Sequence, residues 1–165
     1  MKASRLINLA EYPIHQQGPE RNAVLAKVRA DLAKDGCAVL KGFLTKDGID
    51  ALIEEADGVA PRAHRSFNRT NPYFTQDDPH LPEDDPRRRF YDRSNAFIPA
   101  DNFAKDGTLR GVHDFEGFAA FIRDCLQEPH FHRYADPLAD AIVNMAEQGN
   151  GFPWHFDTNN FTVTL

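Results

Sequence analysis

The sequence predicts an α+β protein in which helices pack around the beginning of an antiparallel sheet. Two kinds of pattern carry this expectation. Apolar residues recur at helical spacing in two stretches of the first third and again after Asp114. Short β-prone runs occur at Cys37–Phe43, Arg89–Phe97, Ala141–Ala146 and Phe161–Leu165. At 165 residues the chain has the size of one domain, and a chain of that size buries about 70% of its unfolded surface. With 41% apolar and 27% charged residues, it is neither a disordered nor a fibrous sequence.

The elements follow in order. Pro19 and Glu20 open a helix whose apolar positions are Val24, Leu25, Val28 and Leu32, and Gly36 ends it. Cys37–Phe43 is expected to be a strand. Thr45 then caps a second helix carrying Ile49, Leu52 and Ile53, which fades near Gly58 and Pro61. Residues 1–60 are therefore the helical part. From 62 to 113 the periodicity fails, and Pro61, Pro72, Pro79, Pro82, Pro86 and Pro99 mark a long irregular, lid-like region. Within it, Arg89–Phe97 reads as a strand. The run Arg87, Arg88, Arg89 follows Glu83, Asp84 and Asp85, which reads as a self-neutralising loop or as an anion contact. Asp114 is expected to cap a helix over 114–127 with Phe115, Phe118, Phe121, Ile122 and Leu126 as its stripe. The sheet begins within 135–165, where Gly149–Gly151 forms a turn.

Charge and composition exclude several functions. Nineteen basic and 25 acidic side chains leave a net charge of −6, which argues against a sequence-independent grip on nucleic acid. No apolar run approaches the ~20 residues that span a bilayer, so no membrane association is expected. The N-terminus lacks a secretory signal, and two cysteines, Cys37 and Cys125, make no disulfide framework. A cytoplasmic location is expected, with oligomeric state left open.

The chemistry concentrates in Gly151-Phe-Pro-Trp-His155-Phe-Asp157-Thr-Asn-Asn-Phe161. On a strand, His155 and Asp157 point the same way. One imidazole and one carboxylate on one face are two arms of a metal site. A second histidine would complete the two-His-one-carboxylate triad of non-haem iron(II) oxygenases. A His-x-Asp also occurs by chance, as a surface pair or as an Asp capping the turn at Asn159 and Asn160. The other histidines (His15, His64, His80, His113, His130, His132) all precede the motif and read as surface or loop residues.

Ala135-Asp-Pro-Leu-Ala-Asp-Ala-Ile-Val-Asn-Met145, followed by Gly149 to Leu165, resembles the iron(II)/2-oxoglutarate-dependent oxygenases. Within them it is most similar to the radical amino-acid halogenases and their hydroxylase relatives. The opening Ile7-Asn-Leu-Ala-Glu-Tyr-Pro13 and the helix to Gly36 are similar too. The resemblance implies a double-stranded β-helix, or jelly roll, wrapped by N-terminal helices, in a single domain. It implies that His155 and Asp157 are the first two ligands of Fe(2+), with 2-oxoglutarate and O2 as co-substrates. The second histidine and the arginine that anchors 2-oxoglutarate belong to later strands, and the β-prone run at Leu165 breaks off without a turn. The chain is accordingly expected to be the front part of a longer protein, truncated before the barrel is complete.

In the halogenases a small residue stands at the carboxylate position and chloride fills the vacated site. Asp157 therefore implies a hydroxylase acting on an unactivated C–H of a free amino acid or similar small polar substrate, while 2-oxoglutarate is decarboxylated to succinate. Further candidates for substrate or cofactor contact are Arg93, Asn95, Asn144, Trp154, Thr158 and Asn160. Each has an ordinary alternative. Trp154 and Phe156 read as core, Asn144 as a sheet-edge residue, Thr158, Asn159 and Asn160 as turn chemistry. Arg93 reads equally as a substrate-carboxylate contact or as an exposed ion pair with Asp92 or Asp101. Two other classes compete with the oxygenase: a jelly-roll binding module without turnover, and a cupin-like metalloenzyme that does not use 2-oxoglutarate.

Overall fold

The computed structural model describes residues 5–149 and 151–165. It is a mixed α+β structure with a small three-stranded antiparallel sheet. The chain forms two compact units. One runs through Arg62 and resumes over Pro99–Val143, and the other comprises Ala63–Ile98 with Asn144–Leu165.

The first unit is helical. Helix α1 (Pro19–Asp35) has proline in its first turn, where a missing amide costs nothing, and ends on Gly36 at φ 70°, whose amide donates to the Leu32 carbonyl. Leu25 and Val28 are buried as the spacing predicts. Helix α2 (Lys46–Val59) is capped by Thr45, whose hydroxyl accepts from the Gly48 amide. Its expected stripe is largely wet, with Ile49 45% and Ile53 54% exposed. What α2 does bury is Gly48, which lies against the Leu6 backbone. Helices α3 (Thr108–His113) and α4 (Phe118–Leu126) complete the unit. Leu6, Ile7, Ile14, Leu25, Val28, Phe43, Val112, Phe118 and Phe121 form its core.

Three expectations are corrected in this unit. Cys37–Phe43 is not a strand. Gly42 adopts φ 70° and turns the chain, and only Leu44 bridges to Ile7. Asp114 does not open a helix; it closes α3, which the sequence reading placed inside the irregular region. Helix α4 follows Gly117 as its cap, whose φ of 90° suits glycine and where an added Cβ would collide with the backbone of Ile14 and His15. Phe115 thus precedes the helix it was expected to join.

The second unit is built on an antiparallel ribbon. Strand β1 (His64–Thr70) pairs with β2 (Tyr91–Ile98) in the register His64 opposite Phe97 through Thr70 opposite Tyr91. Strand β2 lies where the sequence predicts a strand, whereas β1 falls in the stretch expected to be irregular. Strand β3 (Val143–Met145) follows β2 in the sheet order, inside the run expected to be extended. The connection 71–90 is irregular yet tied down by Asn71, which is fully buried. Its side-chain amide donates to the Thr75 carbonyl at 3.0 Å, the Thr75 hydroxyl at 2.9 Å and the Arg87 carbonyl at 2.5 Å. Its oxygen accepts from the Tyr73 and Thr75 amides. One asparagine thereby satisfies the backbone groups that a long loop otherwise leaves to water.

Two further expectations fail here. Neither His155–Asp157 nor Phe161–Leu165 lies on a strand. Pro153 has no amide to give a ladder, and among the described residues pairing is limited to the bridge between Gly151 and Ser94. Further on, the Asn159 side chain donates to the Phe161 carbonyl and the Thr162 hydroxyl, and these local bonds compete with extension. The expected turn at Gly149–Gly151 is consistent with Gly149 at φ 84°; Asn150 lies outside the described residues.

Candidate functional site

Segment 151–157 is held against the ribbon by backbone contacts. The Gly151 amide donates to the Ser94 carbonyl at 3.1 Å, the Phe156 amide to the Pro72 carbonyl at 2.9 Å, and the Tyr91 hydroxyl to the Trp154 carbonyl at 2.6 Å. The Phe156 ring stacks on Tyr73 with centroids 4.9 Å apart. These ties fix the segment without a ladder.

His155 and Asp157 face each other all the same, with Nε2 3.4 Å from Oδ1. The other imidazole nitrogen, Nδ1, lies 2.7 Å from the Pro153 carbonyl. A carbonyl only accepts, so in this bond Nδ1–H is the donor, and Nε2 is the nitrogen turned toward Asp157. Asp157 Oδ2 accepts from the Thr162 hydroxyl at 2.9 Å, which leaves Oδ1 on the Nε2 side. The His155 side chain is 22% exposed and that of Asp157 51%, so the pair is open to a ligand from solution.

Phe74 links this pair to Arg93. Its ring meets His155 edge-on, with centroids 5.4 Å apart, and the Arg93 guanidinium carbon lies 5.2 Å from its centroid. Phe152 flanks the same guanidinium at 5.6 Å. Phe74 adopts φ 57°, a left-handed conformation that costs a bulky residue of order 1 kcal/mol or more. Arg93 Nε is buried and has no hydrogen-bond partner among the described residues. Neither of the acids expected as its partner, Asp92 or Asp101, pairs with it.

Among the other candidates, Asn95 is buried on β2, whereas Asn144, Thr158 and Asn160 are exposed. Trp154 and Phe156 are not core: they are 89% and 57% exposed. With no strand beneath them, the opposite face on which they were expected to pack does not exist. Of the six other histidines, five are exposed, and His113 is half-buried beside Asp114 and Arg133. Sequence reasoning missed Phe74, Pro72 and Thr162, which support the pair. No local pattern marks them, because each acts through a partner distant in sequence or through its backbone.

A donor set of one imidazole and one carboxylate fits part of an iron site. Two atoms each about 2.1 Å from one ion can stand 3.4 Å apart, and the Nδ1 bond to a carbonyl is the usual support of a ligating histidine. No group of three or more His, Cys, Asp or Glu side chains converges among the described residues. No protein-family model, no curated protein and no solved structure matches this chain.

Proposed function

We propose that the protein is a cytoplasmic iron(II)- and 2-oxoglutarate-dependent dioxygenase, built as a jelly roll with N-terminal helices, that hydroxylates an unactivated C–H of a free amino acid or similar small polar molecule. The observation that supports this reading is the pairing of His155 Nε2 with Asp157 Oδ1, each oriented by a bond at its other end. With the metal bound, the chemistry supplied would couple decarboxylation of 2-oxoglutarate by O2, giving succinate and CO2, to insertion of the second oxygen atom into the C–H bond. His155 Nε2 and Asp157 Oδ1 would hold the metal.

The remaining residues act on geometry. Pro153 fixes the imidazole tautomer, and Thr162 holds the carboxylate. Arg93, steadied between Phe74 and Phe152, offers guanidinium donors to a substrate carboxylate. In the light of the resemblance, Asp157 favours hydroxylation over halogenation, because a carboxylate occupies the position a halide would need.

The test is metal binding together with turnover. In its full-length form the protein is expected to bind one iron(II) and to release succinate from 2-oxoglutarate when offered a panel of amino acids, whereas residues 1–165 alone are expected to be inactive. His155→Ala and Asp157→Ala should each lose both properties. Near-wild-type succinate release in His155→Ala overturns the assignment. Metal binding that needs both residues, without succinate release, would point instead to a metalloenzyme that does not use 2-oxoglutarate.

A further inference from the structure

We infer that the groove formed by Arg69, Arg88 and Arg89 beside the 71–90 connection binds a small oxyanion carrying at least two negative charges. The groove is a shallow, open depression of about 630 Å³ lined by these three arginines with Asp77 and Phe90. On a chain of net charge −6 this is a local reversal of sign. The acids nearby are engaged elsewhere or make no pair. Asp77 accepts from Arg88 Nε at 3.1 Å, and Arg88 Nη1 donates to the Leu81 carbonyl at 3.2 Å. Asp85 takes Arg87 through two bonds of 2.9 and 2.8 Å. Asp92 stands directly across the ribbon from Arg69 and makes no ion pair with it.

Arg69 and Arg89 are thus left without an ion pair or side-chain hydrogen bond to any described residue. Asp77 already neutralises Arg88, which leaves Arg69 and Arg89 as the unpaired cations of the groove, with the Asp92 carboxylate across the ribbon from Arg69. Their backbone is placed by the fold, Arg69 on β1 and Arg89 two residues after the Arg87 carbonyl that Asn71 holds. An oxyanion drawn to both guanidiniums offsets their mutual repulsion, and their planar forks match phosphate or carboxylate oxygens. The excess of positive over negative charge along this lining raises the local concentration of such an ion. Phe90 adds an apolar side against which a carbon-bearing ligand can rest. This inference is independent of the proposed oxygenase activity.

The test is calorimetric titration of metal-free protein at low salt with pyrophosphate, inorganic phosphate and succinate. Pyrophosphate is expected to bind saturably at one site. The double variant Arg69→Gln/Arg89→Gln should weaken it about tenfold or more, since two charge-assisted contacts are lost. Arg69→Lys, which keeps the charge and removes the fork, should lose a smaller part, while Lys34→Gln, an exposed charge on α1, should change nothing. Comparable binding of succinate with the same losses would make the ligand any dianion; binding of the phosphates alone would make it a phosphate compound. Absence of saturable binding by all three probes overturns the inference. So does binding retained by the double variant, or an equal loss in Lys34→Gln.

Discussion

Arg21 on α1, with 3% of its side chain exposed, places Nη2 2.6 Å from Oδ2 of Asp124 on α4. The pair joins helices that lie far apart in the chain, and it carries a pH signature. Partial burial works against the charged Asp124 carboxylate, but hydrogen bonds from Arg21 and Arg123, with their charges, outweigh it and hold its pKa below the ordinary value. A folded pKa below the unfolded one means stability that is complete above about pH 4 and lost as pH falls through the folded value. Asp124→Asn should therefore cost about 2 kcal/mol at neutral pH. That is less than for a fully buried pair, because Asp124 is 24% exposed. Thermal unfolding at pH 7 and pH 3 checks this: the gap between variant and wild type should shrink in acid, and an equal gap at both values would sink the idea.

Two glycines of α2 should respond with opposite sign to the same substitution. Gly58 has open space around the position of a Cβ, so Gly58→Ala should stabilise by about 0.5–1 kcal/mol through the unfolded chain. At Gly48 the added methyl would collide with the Leu6 carbonyl, and backbone cannot step aside cheaply. Gly48→Ala should cost about 1–3 kcal/mol despite alanine's helix propensity. Urea denaturation of both variants reads the two signs directly.

Thr162→Val should weaken metal binding at the His155–Asp157 pair. The substitution keeps the shape and removes the hydroxyl that donates to Asp157 Oδ2. Loss of such an outer support costs about ten- to a hundredfold in affinity. Cobalt(II) titration followed by absorbance is the measurement, with Thr162→Ser expected to restore binding. Equal affinity in the valine variant would mean that Thr162 does not orient the carboxylate.

The two cysteines should separate cleanly by reactivity. Cys125 is buried in the helical unit, and desolvation pushes its thiol up to about 11 in spite of the nearby Arg21 and Arg29. Cys37 is exposed. A disulfide reagent at pH 8 should label one thiol in the native protein and two in denaturant, because only the thiolate reacts. Rapid labelling of both in the native state would contradict the burial of Cys125.

The elements legible in the sequence are those whose signal is local. Helix α1 has its proline, its apolar spacing and its terminal glycine within one stretch, and α2 has Thr45 at its start; both form where the pattern puts them. Strand β2 carries its own β-prone residues. Strand β1, His-Arg-Ser-Phe-Asn-Arg-Thr, does not, and becomes a strand only because β2 supplies its hydrogen bonds. The reverse holds for Phe161–Leu165, β-prone yet without a ladder among the described residues.

At the candidate site the sequence alone determined that an imidazole and a carboxylate stand two residues apart in a segment bounded by glycine and asparagine. It also pointed to Arg93 as a cation with two possible kinds of partner. Tertiary structure decided the rest. It brought Phe74 between His155 and Arg93, gave the imidazole its tautomer through the Pro153 carbonyl, and supplied Thr162 to Asp157. It also exposed Trp154, because a bent segment held by Pro72, Tyr91 and Ser94 has no second face to bury. The division follows from range: periodicity and capping act within a turn or two of chain, whereas the partners of a buried or ligating group are set by whichever distant backbone the fold brings within hydrogen-bonding reach.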